Sequence, residues 1–178
     1  MSGASLRSRF VRVLVEAIQL QSGGLALGRL KQQLPTRLMR LMSRAVLSAR
    51  QHDETIELGV AVDLLLAIDQ ALSGGSGQVL TRAAAALSSR VLANGPELVM
   101  PGETVRTLKC LRAPFEQPFV NVRVDFDVER NNGGFVFSVA LPGFPQALPL
   151  LRPLALGYAQ SAITFSGDHP RVLGLSAE

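Results

Sequence analysis

Apolar residues recur at three- and four-residue intervals through the first half of the chain. Phe10, Val13, Leu14, Ala17 and Ile18 make a stripe that predicts a helix over residues 6–20, stopped by Gly23 and Gly24. Leu25, Leu27, Leu30 and Leu34 predict a second helix. Pro35 ends it, because proline lacks a donor and disfavours helix in the residue before it. Thr36 is placed to cap a third helix over residues 36–50, with Leu38, Leu41, Met42, Ala45 and Val46 inward. A fourth, capped by Asp53 or Thr55, carries Val60, Leu64, Leu65, Ile68 and Leu72. A fifth spans residues 78–94 on Leu80, Ala84, Leu87 and Val91, and Gly95-Pro96 closes it.

The period then changes. Residues 104–111 read as a short helix. Over residues 119–129 the alternation is strict and predicts one strand: Val120, Val122, Val124, Phe126 and Val128 face one way. Asn121, Arg123, Asp125, Asp127 and Glu129 face the other. A turn over residues 130–134 and a return strand over 135–141 complete a hairpin. A helix follows over residues 148–161, its start restricted by Pro149 and Pro153, then a last hairpin from 163–165 and 171–175. No repeat is legible. The expected fold is α+β: an N-terminal part of about five helices, then a small antiparallel sheet with one packed helix. The expected division is a basic helical arm over residues 1–51 and an α+β domain over 52–178, forming one compact unit.

Charge sharpens this division. Residues 1–50 hold nine Lys or Arg against Glu16 alone, while the remainder is net acidic. Arg37, Arg40 and Arg44 recur at three and four residues, so they share a helix face, with Lys31 on the preceding helix. Such a row suits an acidic protein surface or nucleic-acid phosphates. Apart from Gln51 it lacks the Asn or Gln that would read bases.

Most other chemistry is excluded by residue type. One cysteine, Cys110, rules out an intrachain disulfide, and His52 and His169 are the only histidines. There is no GxSxG elbow or HExxH pair, and an enzyme is not expected. The glycine-rich Ser73–Gly77 stretch lacks the Lys-Ser/Thr of a phosphate loop and reads as a helix–helix turn. Asp125, Asp127 and Glu129 lie along a straight strand, which cannot curl around a cation, and Arg123 shares their face. Asp53, Glu54, Glu57 and Asp63 suit the start of a helix. Arg12 and Glu16 interrupt the first apolar stretch, so it is read as a cytoplasmic amphipathic helix rather than a signal peptide.

The stretches LRSRFVRVLVEAIQLQSGGLALGRLKQQLP, VAVDLLLAIDQALSGGSGQVLTRAAAALSSRVL and FVNVRVDFDVERNNGGFVFSVALPG, then LALGYAQSAITFSG, resemble a set of small bacterial proteins frequent in myxobacteria. Their build is similar to heme-nitric-oxide-binding and vinyl-reductase-type sensor domains. The resemblance implies a sensor-like or assembly module with an apolar-lined interior. It does not bring heme or metal with it. Heme-binding relatives clamp propionates with Tyr-x-Ser-x-Arg, and here Tyr158-Ala159-Gln160-Ser161 has another spacing and no following arginine.

The expectation is therefore a non-enzymatic, cytoplasmic regulatory protein, a homodimer without cofactors, acting by protein–protein contact. Arg37, Arg40, Arg44 and Lys31 are the candidate partner-binding residues. Val122, Val124, Phe126 and Tyr158 are the candidate lining of a small apolar ligand pocket between sheet and late helix. The alternative is a DNA-binding regulator using the same arginine face.

Overall fold

A computed structural model describes residues 3–48, 54–131 and 134–167. The first strand, β1 (Ser5–Arg7), runs directly into α1 (Ser8–Ser22). Next come α2 (Gly24–Gln33), α3 (Thr36–Ser48), β2 (Thr55–Glu57), α4 (Leu58–Ser73) and α5 (Gln78–Asn94). The second half contains α6 (Thr104–Cys110), α7 (Arg112–Glu116), β3 (Phe119–Val120), β4 (Asp125–Asn131), β5 (Gly134–Ala140) and α8 (Leu148–Ser166). The protein is α+β, but its strands are interleaved with its helices. β1, from the basic region, is the central strand of an antiparallel β2-β1-β3 sheet, and β4 and β5 form a separate hairpin.

An internal pseudo-symmetry organises the first half. Strand β1 pairs with β2 so that Leu6 faces Ile56. The flanking hydrogen bonds mirror one another: Ser8 N–H donates to the Glu54 carbonyl at 2.8 Å, and Leu58 N–H to the Ala4 carbonyl at 3.0 Å. A shift of 50 residues carries Leu6 to Ile56 and the start of α1, Ser8, to the start of α4, Leu58. The same shift superposes buried positions: Val11 on Ala61, Leu14 on Leu64, Val15 on Leu65, Ile18 on Ile68. Each helix ends at a glycine of positive φ, Gly23 or Gly74, where a left-handed residue costs glycine nothing. The helices that follow are exchanged, α1 packing on α5 and α2 on α4. The expectation of no repeat is corrected: Leu14 and Leu64, Ala17 and Ala67, and Ile18 and Ile68 match at this shift, and Ser-Gly-Gly recurs at 22–24 and 73–75, one residue further on.

The central contact is between α5 and α8. Gly157 of α8 lies so close to α5 that a Cβ there would collide with the Thr81 carbonyl and approach Ala84 Cβ and Ala85 N to 2.7 Å. Hydroxyl groups knit the same seam. Ser161 Oγ donates to the Ala85 carbonyl at 2.8 Å, and buried Ser88 Oγ donates to Ser161 Oγ at 2.8 Å. Small residues thus bring two backbones together, and the polar atoms this buries are paired.

Three expectations about elements are corrected. The predicted strand over residues 119–129 is two strands in two sheets. Asn121 adopts φ 56°, a left-handed conformation that asparagine tolerates, and residues 121–124 turn the chain from β3 to β4. The fourth helix is not capped at Thr55, because residues 55–57 are strand β2 and Glu57 precedes the helix. Asp53, the other predicted cap, lies outside the described residues. The late helix continues through Ser166, so residues 163–165 are helical rather than strand; residues 171–175 lie outside the described residues.

Candidate functional site

The two residue sets singled out by sequence meet different fates. On α3, Met42 is buried and Leu38 and Leu41 are half-buried, and the helix packs against α1. That contact turns the opposite face outward, and Arg37, Arg40 and Arg44 are all exposed on it. Among the described residues no ion pair or hydrogen bond is made by Arg37 or Arg40. Arg44 approaches Glu54 at 3.7 Å with its side chain 76% exposed, a solvated pair of small energetic consequence. Lys31 is exposed in the last turn of α2, where a cation complements the helix dipole. Leu34 and Pro35 separate it from the α3 row.

The apolar set is divided between a half-buried pair and a buried pair. Val122 and Val124 are half-buried in the link between β3 and β4. Phe126 and Tyr158 are buried, and the ring of Phe115 lies between them. Its centroid is 5.5 Å from Phe126 and 5.0 Å from Tyr158, both edge-on, the geometry aromatic quadrupoles favour. Phe119 stacks on Phe115 at 6.1 Å, and Phe137 closes on Phe126 at 4.7 Å. Burial pushes the Tyr158 phenol well above its ordinary pKa, because phenolate would lose its hydration there.

Sequence reasoning missed α7, which delivers Phe115, although Phe115 and Phe119 each follow a proline in APFEQPF. It also missed Asp69. This buried carboxylate accepts from Ser73 Oγ at 2.6 Å and from Gly77 N–H at 2.8 Å, holding the turn between α4 and α5. Its signal is an acid four residues after Leu65, on the apolar stripe of its own helix. The turn it fixes is the glycine-rich Ser73–Gly77 stretch, which joins two helices bent by 112°.

The acidic strand edge is partly neutralised within the chain. Arg123 Nε donates to Asp125 Oδ1 at 2.6 Å, and Asp127 Oδ1 accepts the N–H of Val128 at 2.8 Å. Beside this strand runs an open groove of about 600 Å³ between α6 and β4.

No described helix alone is long and apolar enough to cross a membrane. No protein family, curated protein or solved structure matches the chain, so a functional reading rests on these residues.

Proposed function

We propose that this protein is a non-enzymatic regulator that works by protein–protein contact, as a dimer, with Arg37, Arg40 and Arg44 of α3 and nearby Lys31 meeting an acidic partner surface. The observation that carries the reading is the row of exposed guanidinium groups on α3, of which Arg37 and Arg40 have no intramolecular partner among the described residues. Unpaired like charges on one face repel each other, and an acidic partner converts that repulsion into steering and register.

The test is affinity capture from the native host with wild-type protein and with an Arg40→Glu, Arg44→Glu variant, proteins being identified by mass spectrometry. An acidic partner captured only by wild type is the expected result. DNA binding by the same face is excluded or established by a mobility-shift titration. Phosphate contacts would give affinity that falls linearly with salt on logarithmic axes. No shift with any duplex at low salt is expected; a salt-dependent shift lost in the variant would overturn the protein-partner reading.

A further inference from the structure

The groove between α6 and β4 has the features of a peptide-binding edge. Strand β4 pairs with β5 alone among the described residues. Asn131 pairs with Gly134 at the end of the ladder, and the Val128 N–H turns to a side chain instead of to β5. Bonding then alternates along the strand, so Glu129, Asp127 and Asp125 bond to β5 while Arg130, Val128 and Phe126 direct N–H and C=O outward. The Val128 N–H sets the phase: its acceptor is the Asp127 carboxylate at 2.8 Å, not a strand. Charged side chains on an edge strand keep it from pairing indiscriminately.

The walls carry complementary charge. On α6, Arg106 and Lys109 are exposed, and among the described residues neither has an ion-pair or hydrogen-bond partner. Arg130 of β4 is tied to Glu103 just before α6, which places the helix on the Val128–Arg130 side of the hairpin. On the other side, Asp127 and Glu129 are exposed.

We propose that this groove binds an extended segment of a partner protein, which adds to β4 as a third strand and carries alternating acidic and basic side chains. Side chains of a strand alternate between faces, so every second residue of the added segment meets α6 and the others lie over the outer face. Acidic residues on the first side pair with Arg106 and Lys109. Basic residues on the second side lie beside Asp127 and Glu129, as favourable cross-strand neighbours. The added backbone supplies acceptors and donors to Val128 and Arg130, releasing the Asp127 cap. Backbone bonds give affinity and the alternation gives specificity. No residue of α3 takes part, so this site is independent of the arginine face.

The probe is a capped hexapeptide of alternating glutamate and lysine. It is compared with a peptide of the same composition in two charge blocks, and with an alternating peptide methylated at every second amide. Binding is followed by amide nitrogen–proton shifts of the whole protein. The alternating peptide should shift Val128 and Arg130, and the two controls should not. Arg106→Glu combined with Lys109→Glu should weaken that peptide by about tenfold while the helical circular-dichroism signal is unchanged. Equal binding of the block or methylated peptide, shifts confined to α3, or no binding of the alternating peptide would each overturn the proposal. If the double variant loses its fold, the methylated control on wild-type protein still decides.

Discussion

The α5–α8 seam and the α3 face represent opposite solutions to placing polar groups on helices. In the seam, Ser88, Ser161 and the Ala85 carbonyl satisfy one another in a space too tight for an added methyl at Gly157. On α3, three guanidinium groups stand in solvent, and among the described residues the only ion pair they make is a long, exposed one. The seam commits its polar atoms to the fold. The α3 face leaves its charges uncommitted. Substitutions in the first region should therefore be read in stability, and substitutions in the second in binding.

The largest stability effect is expected at Gly157. Replacing it with alanine gains about 1 kcal/mol of helix propensity but forces the helices apart against backbone, at a net cost of about 3 kcal/mol. Urea unfolding measures this directly; a neutral substitution would mean that the two helices are not in close contact. Asp69→Ala comes next. It strands the Gly77 N–H at the α4–α5 turn and leaves the Ser73 hydroxyl only the backbone carbonyl of residue 69, and about 2 kcal/mol should be lost. Ser161→Ala should cost about 1 kcal/mol, since it leaves the Ala85 carbonyl and the Ser88 hydroxyl each one partner short. Arg40→Glu on the contrasting face should change stability by less than about 0.5 kcal/mol.

A pH titration sharpens the same contrast. The buried phenol of Tyr158 has a raised pKa in the folded state, so the folded state holds its proton more tightly than the unfolded chain does. Its contribution is fully present below the unfolded value of 10.0 and is lost as pH rises above it toward the folded pKa. Tyrosinate absorbance should therefore appear together with alkaline unfolding, and a separate earlier titration would mean that Tyr158 is solvated.

Sequence patterning revealed the helices better than the strands because their apolar stripes are long. The helices α1, α4 and α5 each run for four turns or more, and tertiary packing had little to override. Strands β1 and β2 have three residues each, too few to display alternation, and exist because they pair with each other. Residues 119–129 misled for the opposite reason: the alternation is real, but Asn121 interrupts the backbone without interrupting the pattern. For the candidate sites, the arginine row was legible because charge spacing on a helix fixes its face. The filling of the space beside Tyr158 was not, because it depends on Phe115, brought there by a five-residue helix with no period to detect.

The most direct test of the central claim is a paired measurement on a variant carrying Arg37→Glu, Arg40→Glu and Arg44→Glu. Its thermal midpoint and its capture of the acidic partner should be compared with those of wild type. An unchanged midpoint with capture lost is the predicted result. A lowered midpoint, or capture that persists, would contradict the assignment of the α3 face to partner binding.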